Sequence, residues 1–375
     1  MCVRDIMVSM LLIVAFFSGG CAHLGNTAPV VLSLANDGST RYAIVIADDA
    51  PPSTVYGAEE LQRFLGEISG AQFDVVMDSS SGRKYEILLG NNARLSTLGL
   101  APDFSELGNE GYVIRTVGTR LVIAGGEPRG TLYGVYGLLE DHLGCKWFTP
   151  EVSRIPKQNS LGLAKINETI IPALEYREPY VFDCFDGDWA ARNRMNSSAA
   201  RLEEKHGAKV RFGEGMFVHT FHKLVPPEKY FDEHPEYFSL VNGERIKAQT
   251  QLCTTNEDVV QLCIESVRKA IESDPEALVY SVSQNDWTNY CECDVCAALA
   301  EKEGSLMAPV LYLVNRVAEA IEADYPDKAI ETLAYQYTRK VPKTMRPRKN
   351  VIIRLCSIEC CFMHPLDKCD SKFNK

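Results

Sequence analysis

The 375-residue chain lacks an excess of positive charge, an internal repeat and a low-complexity tract. It carries 39 Lys and Arg against 50 Asp and Glu, so its net charge is −11 and binding to a nucleic-acid backbone is not expected. Its 46% hydrophobic and 24% charged residues are typical of a soluble globular protein. The length favours two domains.

The chain also lacks a dinucleotide-binding motif, although glycines cluster at positions 125, 126 and 130. Pro128 and Arg129 interrupt the required spacing, and no acidic residue follows a second strand at the expected distance. We therefore interpret these glycines as a tight turn between a strand and a helix.

The apolar run near the amino terminus, Ile6–Phe17, is too short to span a bilayer as a mature helix. Arg4 precedes it and Ser18-Gly19-Gly20-Cys21 follows, a pattern typical of a secretory signal. Small residues before a cysteine resemble a bacterial lipoprotein signal, although Ser18 stands where Leu or Val is usual. We predict a signal peptide over 1–21, lipidation at Cys21 and a lipid-anchored location in the bacterial cell envelope, facing the periplasm or in the outer membrane.

The chain has thirteen cysteines, and removal of Cys2 and Cys21 leaves an odd number. An exported protein can form disulfides. An odd count, however, requires a free thiol, a metal ligand or a missing partner.

Residues 28–150 combine short β-branched runs with two amphipathic helical patterns, which predicts a small two-layer α/β domain. Residues 151–172 lack periodicity and are interpreted as a linker.

Residues 173–375 alternate between strand and helix patterns. We expect parallel strands joined by right-handed crossovers at 175–182, 216–221, 278–283, 330–335 and 351–356. Asn242-Gly243 predicts a hairpin and Asn256 a helix cap. A closed (β/α)8 barrel needs eight strands over about 250 residues. The predicted fold class is therefore α/β, with the small domain followed by a TIM-type barrel truncated at its carboxyl terminus.

Two groups of motifs resemble known families. Glu110–Ile114, Ala124–Gly126 and Arg129–Gly134 resemble the amino-terminal α/β domain of family 67 α-glucuronidases and family 20 β-hexosaminidases. The downstream segments resemble the bacterial DUF4838 family, which is carbohydrate-associated and has no assigned reaction; they are His219–Leu240, Gln251–Val260, Ser281–Cys296, Leu333–Lys343 and Arg354–Phe362. This resemblance implies a barrel related to those of glycosidases.

A glycosidase generally needs two carboxyl groups flanking the scissile bond. Asp286 and Glu359 each follow a predicted strand, and we expect them to be catalytic. In hexosaminidases an Asp-Glu pair stands at the corresponding strand end, so the resemblance implies that Asn285-Asp286 takes its place with a shorter acid. Asp183 and Asp186 are weaker candidates, and all four carboxylates could instead be ordinary loop residues.

Polar and aromatic residues near these carboxylates are predicted to contact substrate. His219 and His222 could hydrogen-bond sugar hydroxyls or titrate near neutral pH, or serve a structural role. Trp287 lies within a polar run, which favours an exposed sugar-stacking ring over core packing. Asn285 and Tyr335 complete the predicted substrate contacts, and Tyr290 and Tyr337 are further aromatic candidates.

Cys291, Cys293 and Cys296 have C-x-C-x-x-C spacing. They could bind a structural zinc ion with a fourth ligand from elsewhere, form a disulfide with Cys360, Cys361 or Cys369, or remain free thiols. In each case we expect them to anchor the loop.

The sequence thus predicts an exported glycoside hydrolase that acts on a poly- or oligosaccharide by carboxylate acid/base catalysis. It would require no cofactor, apart from a structural zinc ion if one is bound. Its expected partners are a carbohydrate and, through a lipid anchor, a membrane. A non-catalytic glycan-binding lipoprotein on the same scaffold is the alternative. A thiol-redox or metal-handling protein is a third interpretation, which rests on the cysteines alone.

Overall fold

The computed structural model describes residue 29 and residues 31–372. The predicted signal peptide and Cys21 lie outside these residues. Within the described part, no helix has both the length and the apolar character needed to cross a membrane.

Short strands and helices alternate along the described chain. The strands are β1 Leu32–Ala35, β2 Ala43–Ile46, β3 Asp74–Met77, β4 Glu86–Leu89, β5 Tyr112–Val117, β6 Arg120–Gly125, β7 Lys146–Trp147, β8 Ser153–Arg154, β9 Leu161–Leu163, β10 Asn167–Ile170, β11 Leu240–Val241, β12 Glu244–Arg245, β13 Val279–Ser281, β14 Ala329–Ala334 and β15 Val351–Leu355. The α-helices are α1 Pro52–Ser69, α2 Ala93–Thr97, α3 Phe104–Leu107, α4 Gly130–Gly137, α5 Gly187–Arg192, α6 Phe221–Leu224, α7 Pro227–Tyr230, α8 Glu257–Ser273, α9 Asp294–Glu303 and α10 Met307–Asp324.

A six-stranded mixed sheet organises the amino-terminal region, with strand order β10-β5-β6-β4-β2-β3. Its central strands are buried on both faces. Ile44 and Ile87 point into a core with α1 and α4, while Val45 and Leu88 point into a smaller core with α2 and α3. The predicted α/β composition is confirmed, but α2 and α3 add a thin third layer to the two that were expected.

The glycines between β6 and α4 form the tight turn that the sequence predicted. A Cβ atom on Gly125 would lie 2.2 Å from the carbonyl carbon of Gly130, and one on Gly126 would lie 1.6 Å from the carbonyl oxygen of Gly108. Only residues without a side chain fit this strand-to-helix turn.

The interval predicted as a linker, 151–172, contains regular structure. β9 pairs antiparallel with β1, and β10 pairs antiparallel with β5 at the edge of the six-stranded sheet. The sequence shows no period here, because strands this short carry too few residues to show one. The division into domains itself stays a prediction.

A three-stranded parallel sheet, β13-β14-β15, organises the carboxyl-terminal region. Its core contains the apolar faces of α8 and α10, including Val259, Val267, Val314 and Ile321. The helices α9 and α10 connect β13 to β14, as expected for parallel neighbours.

Two predicted barrel strands do not form. Within 175–182, Pro179 offers no N–H, Tyr180 has a φ of 50°, and side chains satisfy the backbone, as when Asn196 accepts from Arg177 N at 2.9 Å. Within 216–221, His219 has a φ of 55°, which ends the extended conformation before α6. Three of the five predicted strands are therefore present in the described residues, and they form an open sheet.

Local signals in the same region are confirmed. Asn242 and Gly243, with φ of 50° and 84°, join β11 to β12 as a hairpin. The Asn256 side chain accepts hydrogen bonds from the N–H groups of Asp258 and Val259 at the start of α8.

Candidate functional site

Three polar segments meet at the carboxyl edge of the parallel sheet. Gln284–Trp287 follow β13, Tyr335 follows β14 and Glu359 follows β15. Because the strands are parallel, the loops after them lie at one edge, which is where open α/β sheets and barrels place their ligands.

Tyr335 contacts one of the two predicted catalytic carboxylates. Its hydroxyl donates a hydrogen bond of 3.0 Å to Asp286 Oδ1. Burial, this bond, and the negative charges of Asp286 and Glu359 together raise the pKa of Tyr335. Asp286 therefore contacts the phenol directly, and neither Tyr335 nor Glu359 is among the residues that line the cleft with Asp286. Glu359 in turn lies 3.6 Å from Nη1 of Arg339.

His219, His222, Asn285, Asp286 and Trp287 line one cleft of about 380 Å³. The indole of Trp287 is 44% exposed. Pro227, Glu228 and Lys247 are among the residues that complete its walls. Glu228 is a carboxylate that the sequence interpretation missed, because it lies in a short helix and not after a predicted strand.

The two histidines have defined tautomers. His219 Nδ1 lies 2.8 Å from the carbonyl oxygen of Gln284, and His222 Nδ1 lies 3.1 Å from Oδ1 of Asn285. Both partners can only accept, so each Nδ1 carries the proton. In the neutral form of each ring, Nε2 then carries no proton and can accept a hydrogen bond.

Gln251, which the sequence interpretation also missed, holds the loop that carries Asp286. Its Oε1 accepts from the N–H of Asn285 at 2.8 Å, and its Nε2 donates to the carbonyl oxygens of Asn285 and Trp287 at 2.8 and 2.6 Å. Asn285 itself is buried and donates to the Thr250 carbonyl. Asn285 therefore supports the loop, while Asp286 and Trp287 face the cleft.

The three loop cysteines are joined by a fourth. The sulfur atoms of Cys253, Cys291, Cys293 and Cys296 all lie within 4.8 Å of one another. Cys253 precedes α8 and was not predicted. Of the partners proposed from sequence, Cys361 and Cys369 lie instead beside His364, and Cys360 accepts from Arg339.

The remaining candidates lie elsewhere. Asp186 caps α5 by accepting from the N–H of Trp189 at 2.8 Å, and neither Asp183 nor Asp186 lines the cleft. Tyr290 and Tyr337 contact each other, with ring centroids 5.2 Å apart, and line a separate cavity beside the cysteines.

A buried charge network lies behind the cleft. Glu331 on β14 accepts from Ser281 Oγ at 2.6 Å and from Arg354 Nε at 3.0 Å, and Arg354 also pairs with Glu178 at 2.7 Å. Burial raises the pKa of Glu331 to about 7, whereas hydrogen bonds and Arg354 more than offset burial and lower the pKa of Glu178. Arg354 thus faces two carboxyl groups, and burial makes Glu331 the weaker acid of the two.

These features define an α/β protein with a polar cleft at the carboxyl edge of a parallel sheet. The chain belongs to the DUF4838 family, a domain of unknown function, whose model matches residues 147–375. Residues 35–138 match the amino-terminal domain of glycosyl hydrolase family 67. Both resemblances predicted from the motifs are confirmed.

Solved glycoside hydrolases are distantly similar to the chain. A family GH115 4-O-methyl-α-glucuronidase with specificity for decorated arabinogalactans is 13% identical, with a TM-score of 0.45 over 86% of this chain and 45% of that chain. The chitobiase of Flavobacterium johnsoniae is 13% identical, with a TM-score of 0.41 over 86% and 52%. The GH20 β-N-acetylhexosaminidase of Streptomyces coelicolor A3(2) is 12% identical, with a TM-score of 0.40 over 88% and 68%.

The chain spans about half the length of the first two of these structures. No curated protein matches the chain.

Proposed function

We propose that this protein is a carbohydrate-active hydrolase that cleaves a glycosidic bond of a poly- or oligosaccharide in the cleft lined by Asp286 and Trp287. The observation that carries the proposal is the placement of the Asp286 carboxylate, held by Tyr335, beside a half-exposed indole at the carboxyl edge of a parallel sheet. The match of residues 35–138 to a glycosyl hydrolase domain supports it.

The Tyr335 hydroxyl donates a hydrogen bond to Oδ1 of Asp286 and so fixes the orientation of this carboxylate. Asp286 is therefore placed to act as the general acid or to position a sugar hydroxyl. Glu359, which lies beside Arg339, is the proposed second carboxylate.

His222 is a further candidate for proton transfer. It is exposed, lines the cleft and has its Nδ1 fixed by Asn285, which leaves Nε2 for contact with a substrate. Trp287 offers an apolar ring face on which a sugar ring can stack.

We also propose a barrel architecture for the carboxyl-terminal region and an exported, lipid-anchored location for the protein. Consecutive parallel strands, of which the first pair is joined by α9 and α10, support a barrel of the (β/α)8 type for the carboxyl-terminal region. The sequence around Cys21 supports export and lipid anchoring. Labelling with a radioactive fatty acid checks the anchor, and label that persists in Cys21→Ala would contradict it.

The test of hydrolysis is a glycan-substrate screen of the full chain beside Asp286→Asn. We expect the variant to lower kcat by about 100-fold or more, as for loss of a catalytic acid or base. Asp324→Asn, a matched change at an exposed residue that ends α10, should leave kcat unchanged. Equal activity of the wild type and Asp286→Asn would remove Asp286 from the mechanism.

A non-catalytic glycan-binding protein is the second candidate. It is favoured by the Arg339–Glu359 ion pair, which engages the second carboxylate, and by Tyr335, which already occupies one oxygen of Asp286. This candidate predicts that calorimetry detects glycan binding that is lost in Trp287→Ala, while no product forms with any glycan. Product formation by the wild type rules it out.

A further inference from the structure

The buried cysteine cluster brings together three parts of the chain. Cys253 lies just before α8, Cys291 and Cys293 lie in the loop after β13, and Cys296 lies in the first turn of α9. The Cys253 and Cys293 sulfur atoms are 3.6 Å apart, and all four lie within 4.8 Å of one another. A tetrahedral Zn²⁺ ion with Zn–S bonds of about 2.3 Å holds its four sulfurs about 3.8 Å apart.

From this geometry we propose that Cys253, Cys291, Cys293 and Cys296 form a structural zinc site with four cysteine ligands. Four converging thiolates satisfy the closed tetrahedral coordination of structural zinc and leave no position open for a substrate. A soft, all-sulfur donor set also disfavours magnesium, calcium and manganese.

The surroundings of the cluster suit thiolates. The N–H of Leu240 and Nη1 of Arg245 lie 3.5 and 3.6 Å from the Cys291 sulfur, and the Thr255 hydroxyl lies 3.1 Å from the Cys296 sulfur. Such donors stabilise the charge on metal-bound sulfur and orient it. Arg245 also offsets part of the net negative charge that four thiolates and one Zn²⁺ carry.

A disulfide explains the arrangement less well. One disulfide would use two sulfurs and leave two buried thiols beside it. Because Cys253, Cys291 and Cys296 are each less than 9% exposed, no solvent-facing role accounts for the remaining pair.

The zinc site joins the loop after β13 to the segment before α8. Cys253 lies two residues after Gln251, whose amide holds Asn285 and Trp287, and Cys291 lies four residues after Trp287 in the loop itself. The hairpin β11–β12 braces it, because Glu292 N donates to the Leu240 carbonyl at 2.8 Å. Metal binding therefore positions Asp286 and Trp287, whether the cleft hydrolyses glycans or only binds them.

The first test is metal analysis of the full chain. The protein is produced in zinc-supplemented medium, purified under reducing conditions and dialysed to remove weakly bound metal. We expect about one zinc ion per chain, bound by four sulfurs at about 2.3 Å in X-ray absorption spectra. Cys253→Ser should lose most of this zinc, and the control Cys356→Ser should retain it.

Three results would overturn the proposal: wild-type protein without zinc, a zinc spectrum without four sulfur ligands, or a disulfide that includes Cys253 found by peptide mapping. The absorption spectrum uses the wild type, so it decides the matter even where Cys253→Ser fails to fold. Removal of zinc by a chelator should also increase quenching of Trp fluorescence by acrylamide. Unchanged quenching would overturn the positioning role alone.

Discussion

At the scale of single residues, Glu331 shows how burial raises the pKa of a carboxyl group. It is fully buried on β14, and the charge of Arg354 is already engaged by Glu178. Desolvation therefore prevails and raises the pKa of Glu331 to about 7 from an ordinary value of 4.5. Through Ser281 and Ser283, whose hydroxyl oxygens are 2.8 Å apart, the network reaches the N–H of His219 beside the cleft.

This raised pKa predicts a pH-dependent stability. A carboxyl group whose pKa rises on folding contributes its full stability below the unfolded value of 4.5 and loses it as pH rises through about 7. Above pH 7 the loss approaches ~3 kcal/mol, since each pKa unit corresponds to about 1.4 kcal/mol. Glu331→Gln should therefore flatten the fall in unfolding free energy between pH 5 and pH 8, as measured by urea titration.

A matched control is Glu319→Gln, which changes an exposed carboxylate on α10. It should keep the wild-type pH dependence. If Glu331→Gln shows the same slope as the wild type, the pKa of Glu331 is not raised in the folded protein.

At the scale of elements, the loop after β13 is a short segment whose backbone is held by the side chain of Gln251. The side-chain amide of Gln251 forms hydrogen bonds with the backbone of Asn285 and Trp287 through both its oxygen and its nitrogen. Gln251 is itself 2% exposed, so water does not readily replace it. The loop conformation thus depends on a residue from another part of the chain.

We expect Gln251→Ala to lower the unfolding free energy by about 2–3 kcal/mol, because it leaves buried N–H and carbonyl groups without partners. It should also increase acrylamide quenching of Trp287 fluorescence. Gln261→Ala, on the exposed face of α8, is the control and should change neither quantity appreciably. Wild-type stability in Gln251→Ala would show that the loop is held by other contacts.

The sequence predicted those elements whose signals are local. Helix α1 is flanked by Pro51, Pro52 and Gly70, helix α8 has its Asn256 cap, and Asn242-Gly243 specifies a hairpin within a few residues. The segments 175–182 and 216–221 have strand-like composition, but side chains distant in sequence satisfy their backbone.

The residues of the candidate site also fall into those that local sequence signals predicted and those that they did not. Asp286, Trp287, Tyr335 and Glu359 were predicted because each follows an apolar run that forms a strand. Gln251 and Cys253 were missed because their role appears only when the loop after β13 folds against the start of α8. Long-range partners of this kind leave no periodic signal in a single sequence.

At the scale of the whole molecule, a buried ionic joint connects the segment 177–207 to the six-stranded-sheet region, on whose core the segment also packs. Glu110 accepts from Arg129 Nε at 2.7 Å, from Arg177 Nη2 at 2.5 Å and from Asn196 Nδ2 at 2.7 Å. Arg129 also donates to the carbonyl of Gly207 at 3.0 Å. Glu110 and Arg129 belong to the motifs that resemble family 67 enzymes, so these motif residues act here as a structural joint.

This joint predicts that loss of the Glu110 carboxylate destabilises the six-stranded-sheet region and the segment that packs on it. Glu110→Ala leaves two guanidinium groups without their carboxylate, and loss of one partner of a buried ion pair costs about 3–5 kcal/mol. In differential scanning calorimetry we therefore expect a lower Tm. Glu67→Ala removes an exposed pair with Arg63 and should cost less than about 0.5 kcal/mol. A wild-type Tm in Glu110→Ala would mean that the apolar contacts hold the segment without the ionic joint.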